Sequence, residues 1–301
     1  MDKLFRVIMG NLSLYAATVL IWGSSWYVIK LQLSSVPAEV SIFYRFAIAA
    51  IILQAWCRIK QKPMGYGLRA HLLFAQMGFF LFFLNFLLIY YASYTITTGL
   101  VSVIFTMLLI FNMINGRIFL GDPISLSMLL GAVIGICGII LVFMPEIQSF
   151  NFGDNVLASF ALAIGGTLSA SCGMVTSAAI QRRNLPVVRS NAWGAVYGAL
   201  CMLVYIMVRD IPFEFDPSLR YISSLGFLAI FATVLGFGCF LTLIGRIGAG
   251  KAAYATVMFP IIALIISTFM EGYVWSLVST FGVCLALGGN ALILVDKQQK
   301  A

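Results

Sequence analysis

Apolar runs of about twenty residues, separated by short polar, glycine- or proline-marked breaks, fill the chain from end to end. Ten such runs stand out, at about 12–33, 38–57, 71–91, 97–117, 125–144, 156–178, 188–208, 222–243, 252–270 and 274–295. Each is long enough as a helix to cross a hydrocarbon layer about 30 Å thick. The breaks have local causes. Pro37 suits the first turn of the second helix, Pro63-Met64-Gly65-Tyr66-Gly67 sits in a basic loop, and Gly121-Asp122-Pro123 is a tight turn. Pro212 and Pro217 mark the longest acidic loop. The pattern predicts an all-α integral membrane protein with ten transmembrane helices.

Composition sharpens this picture. Only 9% of the 301 residues are charged and 62% are apolar, with a mean hydropathy of +1.04, against about 25% charged in a soluble domain. Ten spans use roughly 200 residues, which leaves connections and no separate soluble domain. The N-terminal Met-Asp-Lys-Leu-Phe-Arg looks like the start of a signal peptide. The run after it is full length without a clear cleavage site, so it reads as a retained first helix.

The net charge of +8 reflects membrane topology, not nucleic-acid binding. With a cytoplasmic N-terminus, fourteen of the eighteen Lys and Arg fall on the inner side. The outer side collects Glu39, Glu146, Asp154, Asp210, Glu214, Asp216 and Glu271. Such a bias predicts both termini in the cytoplasm and an even number of spans in a cell inner (plasma) membrane.

The chain also repeats. Gly99, Gly121, Gly131 and Gly138 match Gly250, Gly272, Gly282 and Gly289 at one offset of 151 residues. This suggests two units, 1–150 and 151–301, of five spans each. Five is odd, so the second copy enters the membrane from the opposite face. Two inverted five-helix repeats put a substrate site near the midplane between them.

Candidate chemistry concentrates where lipid offers no hydrogen bonds. Trp22-Gly23-Ser24-Ser25-Trp26 lies inside the first span, with two indoles and two hydroxyls at a depth where unpaired polar groups cost several kcal/mol. It reads as one wall of a solute pathway, or otherwise as tryptophans packed between helices. Arg45 lies roughly 12 Å into the second span. It should meet a solute carboxylate or else be a structural arginine held by carbonyls or an acidic neighbour. Asn85 and Tyr254 complete the proposed substrate-binding set with Trp22, Ser24, Ser25, Trp26 and Arg45. Gly23 and Pro260, which interrupts the ninth span, are the gating or hinge candidates. Lys30 and Glu39 flank the first outer turn and could pair across it. No Asp or Glu lies deep in a span, which argues against a dedicated cation pump.

Other chemistries lack their residues. The six cysteines form no C-x-x-C pair, so neither a disulfide framework nor a metal site is expected. Gly245-Arg246-Ile247-Gly248-Ala249-Gly250-Lys251-Ala252 approaches a phosphate-binding loop, but Ala252 replaces its hydroxyl and no strand precedes it. No hydrolase constellation is present. The sequence therefore predicts no enzyme, no cofactor and no nucleic-acid partner; a small-molecule substrate and the lipid bilayer are the partners expected. The oligomeric state is left open.

Several segments resemble one family. Trp22-Gly23-Ser24-Ser25 to Lys30, Pro37 and Tyr44-Arg45-Phe46 resemble the first two helices of the drug/metabolite transporter superfamily, EamA-like branch. Tyr91-Ala92 leading to Gly99 resembles its third-to-fourth helix junction. Ile244 through Ala249, Pro260, Glu271, Gly282 and Gly289 resemble its second-repeat signature. The first repeat departs from the pattern: it has no proline in its fourth span, and Asp122 stands near a position usually held by glutamate. The resemblance implies a secondary transporter that exports small metabolites, most often amino acids and related compounds. A drug extruder is the alternative, followed by a non-transporting membrane assembly subunit.

Overall fold

The computed structural model describes residues 10–32, 36–96, 98–142, 144, 154–270 and 275–295. The predicted outer-side Glu146 and Glu271, the repeat glycine Gly272 and the terminal Lys3, Arg6, Lys297 and Lys300 lie outside them. Ten helical stretches follow one another: α1 (Asn11–Lys30), α2 (Ala38–Ile59), α3 (Leu68–Ser93), α4 (Thr98–Phe105 and Leu108–Leu120), α5 (Leu126–Val142), α6 (Asp154–Arg182), α7 (Val187–Val208), α8 (Leu219–Ile247), α9 (Ala249–Ala252 and Ala255–Met270) and α10 (Leu277–Val295). Among the described residues, eight of these are long and apolar enough to cross a membrane, and α5 and α10 contribute shorter apolar helices. Large apolar side chains such as Leu12, Ile51, Ile118 and Phe119 point outward. On a soluble protein so much exposed apolar surface would be a liability. In a bilayer it is the lipid-facing coat.

Most predicted boundaries fall within a few residues of the observed ones. The largest differences are at α6 and α8, which outrun the apolar pattern to Arg182 and Ile247. A helix continues through polar residues while its backbone bonds are made, and a basic last turn favours the C-terminal dipole. Gly121 closes α4 in the left-handed conformation, at φ 72°, as the tight turn there requires.

Because lipid tails are as apolar as leucine, close approach of small residues does much of the packing. The α5–α10 pair shows this best. A Cβ on Gly138 would stand 2.6 Å from Gly282 O, and one on Gly289 would stand 2.8 Å from Gly131 O. Gly131 and Gly138 thus lie against the residues that match them at the 151-residue offset, each against the other's counterpart.

Elsewhere α1 packs on α8 and α9, α6 on α3 and α4, and α2 on α7 and α8, while α7 also packs on α3. The helices α3 and α8 each contain a π-helical segment, Gly78–Leu84 and Phe227–Phe237. In α4 and α9 the backbone tightens at matching places. Thr106 N donates to Val103 O at 3.0 Å, and Thr256 N to Ala253 O at 2.9 Å. Each threonine hydroxyl folds back on the same carbonyl. Neither irregularity is marked by glycine or proline at its centre.

Candidate functional site

A cavity of about 50 Å³ lies between α1, α2, α3, α4, α6, α8 and α9, enough for a few waters. Trp22, Ser25, Trp26, Arg45 and Asn85 line it, joined by Phe86, Phe105, Phe237, Phe259 and Met174. Five of the seven substrate-binding candidates therefore meet in one place.

Trp22 is locked in position. Its Nε1 donates to Ala232 O at 2.8 Å, and its ring lies 4.6 Å from Phe237, 5.0 Å from Phe240 and 5.7 Å from Phe259 between centroids. The acceptor belongs to the π-helical stretch of α8, where the irregular ladder leaves carbonyls to be satisfied by neighbours. Trp26 packs edge-on against Phe105 at 5.6 Å. Ser25 Oγ donates to Trp22 O at 2.8 Å. Ser24 lies outside the cavity lining and bonds Leu20 O and Ile21 O of its own helix.

Arg45 is only 2% exposed. Its Nε donates to Thr233 Oγ1 at 2.8 Å, and that hydroxyl donates to Leu228 O, five residues back within the π-helical stretch. The guanidinium carbon stands 4.4 Å from the Phe86 ring centre, an attraction of about 0.5–2 kcal/mol. The Tyr90 hydroxyl interacts with the guanidinium and donates to Gln32 Oε1 at 3.2 Å. Arg45 Nη1 is buried without a hydrogen-bond partner.

Asn85 is the complementary case. Its Nδ2 donates to Leu81 O at 3.3 Å, while Oδ1 is buried and unpartnered. The cavity lining thus contains one unmet donor on α2 and one unmet acceptor on α3. Each such group costs about 1–3 kcal/mol when nothing satisfies it.

The remaining candidates stand apart. The Tyr254 hydroxyl donates to Met128 O and sits by Met113, in a separate apolar cluster. Gly23 and Pro260 both lie on the helices of the α1–α9 contact. A Cβ on Gly23 would lie 2.5 Å from Ile262 Cβ, two residues past Pro260, and Phe259 beside Pro260 lines the cavity. Glu39, which flanks the first outer turn with Lys30, is 8% exposed and accepts from the Tyr91 hydroxyl at 2.5 Å. Thr233, Gln32 and Tyr90 were missed because each looks like an ordinary helix residue in sequence. Only Arg45's need for partners hints that such groups exist.

The model of the EamA-like transporter family matches residues 9–144 and again residues 157–295. The chain belongs to the EamA-like transporter family. As an EamA-like protein it is a multi-pass membrane transporter of the drug/metabolite transporter superfamily, and not an enzyme. It is 25% identical to a "Probable amino-acid metabolite efflux pump" of Escherichia coli (strain K12), covering 82% of each chain. It is 24% identical to "Uncharacterized transporter YoaV" of Bacillus subtilis (strain 168), covering 86% of each. It is also 24% identical to "Protein PagO" of Salmonella typhimurium, covering 94% of this chain and 92% of that one. A crystal structure of a protein 13% identical in sequence matches the EamA-like fold with a TM-score of 0.78, covering 96% of this chain and 98% of the other.

Proposed function

We propose that this EamA-like protein exports small neutral or zwitterionic metabolites, amino acids or related compounds, by alternating access. The observation that carries this reading is the pair of unmet groups in the cavity lining, Arg45 Nη1 and Asn85 Oδ1. A solute with a carboxylate and a donor satisfies both, while the indoles of Trp22 and Trp26 contact its apolar part. The amino-acid efflux description of the Escherichia coli relative agrees with this chemistry. Release requires the aromatic walls to part, with Gly23 and Pro260 at the contact that moves.

The architecture we infer is two inverted five-helix repeats, residues 1–150 and 151–301, with both termini on the cytoplasmic face of a cell inner membrane. Three observations support it: the two family matches, the reciprocal glycine contacts of α5 and α10, and π-helical segments in both α3 and α8. The basic residues of the α6 end and the α8–α9 link fit a cytoplasmic side.

Flux from proteoliposomes tests the function. Labelled amino acids should move in a protein-dependent way, and drugs or nucleosides should not. Absence of flux across amino acids, sugars, nucleosides and drugs would sink the transport reading. The cavity's many aromatic rings favour one alternative, an apolar drug as cargo. Tolerance of expressing cells to such drugs without amino-acid flux would select it.

A further inference from the structure

A second cavity, of about 170 Å³, lies at the opposite end of α4 from Thr98, between the α4–α5 turn and the α8–α9 link. Asn112, Asp122, Met113, Met128, Gly248 and Lys251 are among the residues that line it. Asn112 is 0% exposed. Its Nδ2 faces two acceptors, Ala249 O at 3.4 Å and Met174 Sδ at 3.6 Å, so the amide orientation is fixed and the unmet atom is the oxygen. Asp122 gives one carboxylate oxygen to Arg182, and its Oδ2 is buried with no hydrogen-bond partner. Lys251 makes no ion pair with Asp122 within 4.0 Å.

Two unmet acceptors and one cation therefore share a cavity without satisfying one another. A metal cation would answer the acceptors and be repelled by Lys251. A plain anion would answer Lys251 and leave both acceptors, Asn112 Oδ1 and Asp122 Oδ2, unmet. A molecule carrying both charges meets all three.

We propose that this cavity is a second binding site for a small zwitterion. Its ammonium is held by Asn112 Oδ1 and Asp122 Oδ2, and its carboxylate by the Lys251 ammonium. The inference deepens the transport reading above and rests on it: on the cytoplasmic side, such a site collects cargo before it reaches Arg45.

Equilibrium binding to the full chain in detergent tests it, by calorimetry with glycine, L-alanine, L-serine and L-threonine as probes. Ethylamine and propionate, each with a single charge, serve as controls. We expect two classes of zwitterion site, with both controls at least tenfold weaker at the Lys251 class. Lys251→Gln, at a half-buried position, should weaken that class at least tenfold, as should Asn112→Ala. Both should spare the class that responds to Arg45→Gln. Binding by Lys251→Gln and Asn112→Ala indistinguishable from wild type would overturn the proposal and leave water as the occupant. Because binding is read without a gradient, failed flux in proteoliposomes would condemn the transport reading and leave this result unmoved.

Discussion

The helices α3 and α8 carry the same irregularity and use it differently. In each, a π-helical stretch leaves a carbonyl that a side chain from another helix satisfies. Ser169 of α6 donates to Phe80 O at 2.7 Å, and Trp22 of α1 donates to Ala232 O at 2.8 Å. Around that shared device the surroundings diverge. The α3 stretch is clamped by small residues: a Cβ on Gly78 would stand 2.5 Å from Gly194 O, and one on Gly198 would stand 2.6 Å from Phe82 Cβ. The α8 stretch instead receives Arg45 on Thr233, and its flanking Gly226 and Gly238 have nothing within 4 Å of a Cβ position. One stretch is a seam closed by small residues; the other is held by the cavity's own side chains, Arg45 on Thr233 and Trp22 against Gly236, where a Cβ would stand 2.5 Å from the indole Nε1. The same helical irregularity can thus be closed by small residues in one place and carry cavity side chains in another.

The comparison breaks first at Arg45, where the largest effect is expected. Arg45→Gln removes the charge that the α8 stretch holds toward the cavity. A lost charged hydrogen bond is worth about 1.5–3 kcal/mol, so amino-acid flux in proteoliposomes should fall about ten- to hundredfold. Unchanged flux would mean that the guanidinium only braces α2 against α8, and that both stretches are seams.

Gly78→Ala probes the other side. Its Cβ would meet backbone, which cannot move aside as a flexible side chain can, so a cost of about 1–3 kcal/mol is expected in thermal unfolding of the purified protein. A neutral result would show that the α3–α7 contact gives way at little cost and is no tighter than the surroundings of the α8 stretch.

Trp22→Phe and Ser169→Ala form a matched pair of smaller effects. Each deletes the donor to a π-helical carbonyl, at about 1 kcal/mol of stability. Trp22→Phe should also lower flux severalfold, since its ring lines the cavity, whereas Ser169→Ala should leave flux within a factor of about two once protein amount is matched. Equal loss of flux from both would make the two stretches functionally alike.

These contrasts also show what could be read from the chain beforehand. The spans were legible because lipid permits almost nothing except apolar helices. Arg45, Trp22, Trp26, Ser25 and Asn85 were legible as wall residues because each is costly to leave facing lipid. The partner of Glu39 was not legible, because distance along the chain from a helix end says nothing about Tyr91, which covers it. The π-helical stretches were invisible. Gly78-Phe79-Phe80-Leu81-Phe82-Phe83-Leu84 has the composition of any lipid-buried helix, and the change in register is settled by donors from α1 and α6 that no local pattern announces. Ser24 and Tyr254 looked like cavity residues by type alone, and their bonds turn out to lie within their own helix or in the Met113–Met128 cluster.

The smallest expected effect is at Gly238, and its sign carries the argument. A glycine within a helix costs about 0.5–1 kcal/mol relative to alanine, and Gly238 begins regular α-helix just after the π-helical stretch of α8 with open space on its Cβ side. Gly238→Ala should therefore raise the unfolding temperature slightly, opposite in sign to Gly78→Ala. If the α8 stretch shifts register during transport, the same 0.5–1 kcal/mol held against that shift slows flux about two- to fivefold. Stabilisation with unchanged flux would confine the motion to the α1–α9 contact at Gly23 and Pro260. Destabilisation would mean that α8 is clamped at Gly238 as α3 is at Gly78, and the contrast between the two stretches would then rest on Arg45 and Trp22 alone.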